Sequence, residues 1–401
     1  MASGERESAT MAVSRRVAEL RSEGIEVLDL GAGEPDFPSP ETAVKAAQRA
    51  LDEGRTKYTV LEGTTELRAA LAERYSAPGG PWSAGNVLVT VGAKAALYQL
   101  AQAFLGPGAE AVVPTPAWVS IPAQVRLAGA EAVTVPMAAE DGFAIRAQSL
   151  IEAMTQRTRA VIVNTPCNPT GAVASILDLE RLASACAERG ALLISDETYE
   201  RFVYDGRRHA GVAALAARYP DTVVLVGSFS KSYAMTGWRV GYLLGSAEVV
   251  AAAAAVQSHV TSNATSFAMA GAEAVLAEEP PESAALVAAC ARRRDLVLRE
   301  LERVPGIVCP PPAGAFYAFP DVSACLDEAC PDSASLCGRL LDEARVAATP
   351  GSAFGWEGHL RLSFACGDEV LAAGLEGLVR VLSRRSTGHV APSFAAGGRA
   401  G

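Results

Sequence analysis

No stretch of this 401-residue sequence is long and apolar enough to cross a bilayer; the longest alanine/valine run, residues 249–256, is closed in by Glu248 and Gln257. The first twenty residues carry Glu5, Arg6, Glu7, Arg15, Arg16 and Glu19, leaving no apolar core for a secretory signal, so a soluble cytoplasmic protein is expected. Metal-site patterns are missing too. The eight cysteines, at 167, 186, 290, 309, 325, 330, 337 and 366, make no Cys-x-x-Cys pair, and four scattered histidines make no His-Glu-x-x-His. Buried reduced thiols and no metal are the expectation. Positive charge is in deficit: 35 Lys and Arg face 45 Asp and Glu, a net charge of −10, which argues against nucleic acid and anionic membranes as partners. The glycine turn Val91-Gly92-Ala93-Lys94 fits neither Gly-x-Gly-x-x-Gly nor Gly-x-x-x-x-Gly-Lys-Ser/Thr, so dinucleotide and nucleoside-triphosphate readings fail there.

What is present points to a large buried core. Half the residues are apolar, a fifth are charged and mean hydropathy is +0.18. At roughly 150 residues per domain the length suggests two or three domains. Helix-like Ala/Leu/Arg stretches, such as 94–105 and 178–189, alternate with short β-branched runs at 86–91, 110–113, 130–135, 160–164, 191–195, 222–227 and 240–244. Strands separated by helices imply crossover connections, hence an α/β protein with a mostly parallel sheet covered on both faces. Runs such as Leu192-Leu193-Ile194 and Val223-Val224-Leu225-Val226 suit strands buried on both sides. The pattern changes near Pro280-Pro281: a long helix over 283–303, strand-like pieces at 315–319 and 359–364, and a helix at 368–382 predict a smaller α+β domain. The expected division is a large domain over 42–290, a small one over 291–382, an N-terminal segment 1–41 packing with the small domain, and a disordered tail from Ser383 to 401.

Ligands of open parallel sheets bind at the carboxyl ends of the strands, and unusual polar residues cluster at those ends here. Lys231, in Gly227-Ser228-Phe229-Ser230-Lys231, follows a buried strand, where desolvation lowers an amine's pKa and readies it for Schiff-base chemistry; a surface loop lysine is the plain alternative. Arg239 with Ser228 and Ser230 could clamp a phosphate. Asp196 ends the 191–195 run, where a carboxylate is costly without a cation such as a protonated heterocycle, and Tyr199 lies three residues on. Asn168 sits in the proline-fixed turn Asn164-Thr165-Pro166-Cys167-Asn168-Pro169-Thr170-Gly171, in which either X-Pro bond could be cis. Backbone N–H groups at Ala93 and Lys94 could meet a phosphate, Trp118 could stack on a flat ring, and Arg361 could hold a carboxylate.

In order and content these motifs resemble one family over roughly residues 8 to 382: the fold-type I, pyridoxal-phosphate-dependent class I/II aminotransferases. The matching segments are Gly33-Glu34-Pro35-Asp36-Phe37, Lys57-Tyr58, Asn168-Pro169-Thr170-Gly171, Ser195-Asp196-Glu197, Ser228-x-Ser230-Lys231, Met235-Thr236-Gly237-Trp238-Arg239, Ala313-Gly314-Ala315-Phe316-Tyr317 and the surroundings of Arg361. The resemblance implies a three-layer αβα domain plus a smaller domain, with pyridoxal 5′-phosphate joined to Lys231. It implies that Asp196 pairs with the ring nitrogen, Asn168 and Tyr199 with the phenolic oxygen, and that Trp118 stacks on the ring. Ser228, Ser230, Arg239 and the backbone at Ala93 and Lys94 would form the phosphate cup, completed by Tyr58 of a second subunit in a homodimer. Arg361, with Asn168 and the backbone at Gly33, would hold the substrate α-carboxylate.

The resemblance is nearest to the bacterial gamma-subgroup aspartate aminotransferases, in which an N-terminal Ser-x-Thr and the lysine of the glycine turn take the distal carboxylate. Ser8-Ala9-Thr10 and Lys94 occupy those positions, and an ammonium with two hydroxyls suits a carboxylate. A plain helix start at Lys94 and helix caps at Ser8 and Thr10 are the alternative. The function implied is transfer of an amino group between an acidic amino acid and a 2-oxo acid such as 2-oxoglutarate. Two other readings stand beside it: a lyase or cyclising enzyme using the same cofactor, and a non-catalytic cofactor-binding regulator, for which the residues before Glu41 leave little room for a DNA-binding domain.

Overall fold

The computed structural model describes residues 8–76 and 80–386. Its centre is a seven-stranded sheet: β1 (Val87–Thr90), β2 (Glu110–Thr115), β3 (Glu131–Pro136), β4 (Thr158–Asn164), β5 (Leu192–Asp196), β6 (Val223–Ser228) and β7 (Gly241–Leu244). The spatial order is β1-β7-β6-β5-β4-β2-β3, and only β7 runs antiparallel to its neighbours. The expected mostly parallel α/β sheet is therefore the one found.

Alternation along the strands explains the three layers. Val161 and Val163 of β4, with Leu193 and Leu225, pack with Leu67, Leu71, Leu179 and Met269 from helices on one face. Ala160, Ile162, Ile194 and Val224 pack on the other face with Leu97, Leu100, Ile121 and Val250. Every residue of β5 and β6 is buried, as their unbroken apolar runs require.

A second core gathers around the 21-residue helix Pro281–Leu301, a short antiparallel sheet (Tyr317–Ala318, Leu360–Ser363, Thr349–Pro350) and the helices Ser333–Ala344 and Asp368–Ser386. Leu28–Asp29 pairs in parallel with Val346–Ala347, and Val17, Leu20 and Val27 cluster with Ala347, so the N-terminal helix Ala9–Ser22 lies against this part. Arg293 and Arg294 of the long helix, both buried, tie the parts together. Arg293 bonds Asp36 at 2.8 Å and Asp368 at 2.5 Å, and Arg294 bonds Asp205 at 2.8 Å.

Two expectations need correction. The strand expected over 315–319 is only Tyr317–Ala318, because Ala315 takes a left-handed φ of 55° that no ladder accommodates. The disordered tail expected from Ser383 does not begin there: the last helix runs on to Ser386, with Arg385 donating to the Cys325 carbonyl and paired with Asp327. Nothing in Ser383-Arg384-Arg385-Ser386 breaks a helix. The remainder of that tail, and residues 1–7 of the N-terminal segment, lie outside the described residues.

Candidate active site

The carboxyl ends of β4, β5 and β6 and the turn after β1 open on one cavity of about 330 Å³. Strand polarity dictates what reaches it: the last residue of each of β4 to β6 is polar (Asn164, Asp196, Ser228) and lines the space.

Lys231 belongs to the short helix Phe229–Ser232 capped by Ser228, and its Nζ donates to the Gly33 carbonyl at 2.5 Å. Burial pushes the amine down to about 8; the cations Arg361, Arg239 and Lys94 act in the same direction, against Glu34. Asp196 is buried and pushed up to about 6 by desolvation, although its Oδ1 accepts from the Thr198 amide at 3.2 Å and hydroxyl at 2.7 Å. Tyr199 and Tyr317 share a hydroxyl–hydroxyl bond of 2.9 Å.

The glycine turn and Arg239 form a cradle. Gly92, at φ 83°, caps the 12-residue helix Ala93–Phe104, and a Cβ there would lie 2.7 Å from Arg239 Nη2. Arg239 itself is held by the carbonyls of Thr236 at 2.9 Å and Val91 at 3.4 Å. Ser228 and Ser230, with hydroxyls 2.8 Å apart, stand beside it. A helix N-terminus, a guanidinium and two hydroxyls together suit an anion, and Ala93 and Lys94 line the same cavity.

Arg361 reaches the cavity from the small sheet. Its Nη2 donates to the Gly31 carbonyl at 2.6 Å, its Nη1 to Asn168 Oδ1 at 3.1 Å, and its guanidinium carbon lies 4.5 Å from the Tyr317 ring centroid. Its Nε is buried with no hydrogen-bond partner. Asn168 sits in a turn in which the Thr165-Pro166 and Asn168-Pro169 bonds are both cis. Its amide donates to Asn164 Oδ1 at 2.7 Å, while Asn164 Nδ2 donates to the Asp196 carbonyl at 3.0 Å.

Lys94 Nζ sits 5.0 Å from the Trp118 ring centroid, its pKa lowered by burial and by Arg239. Thr10 also lines the cavity, with Met11 and Ser14 of the same helix. Thirteen of the fifteen residues singled out from sequence thus meet here: Gly33, Ala93, Lys94, Trp118, Asn168, Asp196, Tyr199, Ser228, Ser230, Lys231, Arg239, Arg361 and Thr10. Ser8 and Tyr58 are not among the lining residues. The Ser8 hydroxyl caps its helix by accepting from the Met11 amide at 3.4 Å, which is the structural alternative for that residue, and Tyr58 is 89 % exposed.

Sequence reasoning missed Asn164, Thr198 and Tyr317 as parts of the site. Asn164 had a signal: it ends a strand beside Asp196, its register partner. Tyr317 had one as well, in the Gly-Ala-Phe-Tyr motif, but its contact with Tyr199 spans 118 residues of sequence.

These residues fit pyridoxal 5′-phosphate. A desolvated amine suits its aldehyde, a buried carboxylate suits its ring nitrogen, and the Gly92–Arg239 cradle, which a Cβ would fill, suits its phosphate. Fold and site together define a transaminase-type pyridoxal-phosphate enzyme.

Residues 25–378 match the family model for aminotransferase class I and II. The chain is 42 % identical over 381 residues to the aspartate/prephenate aminotransferase of Thermus thermophilus, covering 94 % of this chain and 96 % of that protein. It is 40 % identical over 380 residues to the probable aspartate/prephenate aminotransferase of Aquifex aeolicus, covering 94 % and 96 %. The structure of Thermus thermophilus aspartate aminotransferase with maleate superposes with a TM-score of 0.87 at 41 % identity, covering 94 % of this chain and 97 % of that one. The chain belongs to the class I and II aminotransferases. It is a pyridoxal-phosphate-dependent enzyme that moves an amino group between an amino acid and a 2-oxo acid.

Proposed function

We propose that the amino donors are acidic amino acids, aspartate foremost, and that 2-oxoglutarate accepts the amino group. One observation carries this: the cavity has cationic groups on two sides, Arg361 from the small sheet and Lys94 from the glycine turn, with the Thr10 hydroxyl also lining it. A substrate with two carboxylates matches two cationic groups from separate elements better than an aliphatic or aromatic side chain does. Relatives named as aspartate aminotransferases, and the Thermus thermophilus structure with the dicarboxylate maleate, support the reading.

Bound pyridoxal phosphate supplies an electron sink for the charge released at the substrate Cα. Lys231 would hold the cofactor covalently and, once displaced from it by the substrate amine, its Nζ would take the Cα proton. Asp196 would pair with the ring nitrogen and keep it protonated, Asn168 and Tyr199 would donate to the phenolic oxygen, and Trp118 would stack on the ring. Ser228, Ser230, Arg239 and the Ala93 and Lys94 amides would hold the phosphate. Arg361, with Asn168 and the Gly33 backbone, orients the α-carboxylate, and Lys94 with Thr10 takes the distal one.

We propose further that Tyr58, exposed like its neighbour Val60, completes the phosphate site of a second copy in a homodimer, and that the enzyme works in the cytoplasm. No helix among the described residues is long and apolar enough to cross a membrane. The same reading divides the chain into a large domain over 42–290 and a small one over 291–382, with the N-terminal segment 1–41 packing with the small domain.

Screening amino acids for conversion of the bound cofactor to its amine form tests the substrate class. Aspartate and glutamate should bleach the absorbance far faster than leucine or phenylalanine, and the reverse order would discard the acidic reading. Lys94→Met should raise KM for dicarboxylates by about tenfold, the worth of one partly buried charge pair, and leave monocarboxylates near wild type. An equal effect on all substrates would assign Lys94 to the phosphate or to folding. Prephenate belongs in the same screen, because Met11 and Trp118 give the cavity an apolar side and two of the relatives carry that substrate in their names.

The lowered amine sets a pH dependence. Only neutral Lys231 attacks an aldehyde, so the rate at which apoprotein captures pyridoxal phosphate should climb with pH up to about 8 and level off above it. Stopped-flow absorbance reads this directly; a midpoint near the ordinary lysine value of 10.5 would mean the amine is not desolvated.

A further inference from the structure

We infer that Tyr317 is a positioning residue for the cofactor's phenolic oxygen, acting through Tyr199: it donates to the Tyr199 hydroxyl and so commits the single Tyr199 proton to the cavity. The inference rests on the proposed role of Tyr199 as donor to that oxygen.

Tyr317 is 1 % exposed, lines the cavity, and is set by the small sheet, where it pairs with Ser363, two residues from Arg361. Its ring meets that of Tyr199 edge-on at 5.7 Å, and the hydroxyl oxygens are 2.9 Å apart. Either hydroxyl can donate in that bond. A hydroxyl has one proton and two lone pairs, so the direction is decided by what else is offered. The remaining groups facing Tyr199 are Asp196 and the Arg361 guanidinium, and neither accepts from it among the described bonds. Once an anionic oxygen lies within reach of Tyr199, the favoured arrangement is Tyr317 to Tyr199 to that oxygen, because a donor on Tyr199 polarises its O–H and strengthens the second bond.

Two further contacts hold Tyr317 in place for this. Its ring lies under Arg361 at 4.5 Å, and a Cβ on Gly33 would fall 2.9 Å from its hydroxyl, so the Gly33 loop is shaped around it. Tyr317 thus joins the small sheet, which carries Arg361, to the strand end that carries Asp196 and Tyr199.

The test is a pH titration of the visible absorbance of the holoenzyme. A donor on the phenolic oxygen favours the deprotonated, more anionic form of the Lys231–cofactor conjugate, so weakening it raises the midpoint. Tyr317→Phe keeps the ring over Arg361 and removes only the hydroxyl. Its midpoint should rise by about half a unit to one unit, the worth of one buried hydrogen bond. The amino-acid KM should stay within about twofold, since the Arg361 contact is kept. In a Tyr199→Phe background the same change should shift nothing, as a coupled pair requires. An unmoved or lowered midpoint in Tyr317→Phe, or the same rise in both backgrounds, overturns the inference. A wild-type protein without a titrating Lys231-linked absorbance would instead overturn the functional reading beneath it.

Discussion

Lys231→Ala is expected to lower turnover of any amino acid by about 10⁴-fold or more, since it removes both the covalent anchor and the base at the substrate Cα. The structure makes this residue hard to replace. No other lysine among those lining the cavity reaches the Gly33 carbonyl, and Lys94 stands on the glycine turn against Trp118. The variant should still bind pyridoxal phosphate non-covalently, because Ser228, Ser230, Arg239 and the helix N-terminus at Gly92 are untouched. Borohydride followed by peptide mass spectrometry should label Lys231 in the wild type and nothing in the variant. Retained half-transamination in Lys231→Ala would refute the assignment.

The same substitution should stabilise the apoprotein. The folded amine titrates at about 8 and the unfolded one at 10.5, so the unfolded chain binds more protons between those values. Stability therefore rises with pH across that window, and below it the fold carries the full cost of a charged buried amine, up to about 3 kcal/mol. Thermal melts at pH 7 should place apo Lys231→Ala above apo wild type, with the gap closing as pH rises past 8. A catalytic group that destabilises its own fold is what a site built for chemistry rather than stability requires.

Asp196→Asn should cut kcat/KM by about 10²- to 10³-fold, the range expected on removing one partner of a buried ion pair. With two Thr198 bonds as its support among the described residues, burial, helped by Glu197, pushes the carboxyl up to about 6, ready to take a proton. A protonated ring nitrogen is the cation that would hold it ionised, and the carboxylate in turn keeps that nitrogen charged and the ring electron-withdrawing. Asparagine preserves shape and can still accept from Thr198, so cofactor content, read by absorbance, should remain near wild type while turnover falls. If Asn supported normal rates, the ring nitrogen would need no anionic partner and the place of Asp196 at the end of β5 would be structural.

Much of this site was legible because strand ends are legible. Asp196 and Ser228 each interrupt an apolar run that has to be a buried strand, and a polar residue at that point either caps a turn or faces a ligand. Lys231 and Arg239 follow within a few residues and inherit the location. Thr10 was placed by resemblance alone, and for Arg361 the strand-like pattern left a solvated face as open a reading as a cleft, since nothing in either local pattern says which way the side chain faces. Ser8 shows the limit of that route: the motif position is filled, yet its hydroxyl serves the helix it begins.

The amino-acid pattern by itself determined the layered α/β core, the strands that end in chemistry and the amine that has to be desolvated, because burial periodicity and the cost of buried charge act over a few neighbouring residues. Only the tertiary structure decided that Tyr317 meets Tyr199, that Arg361 stands between Gly31 and Asn168, and that Gly92 leaves room for Arg239. Those contacts join segments more than a hundred residues apart and depend on how the small sheet docks on the large one, a geometry set by the packing of whole faces and carried by no local run of residues.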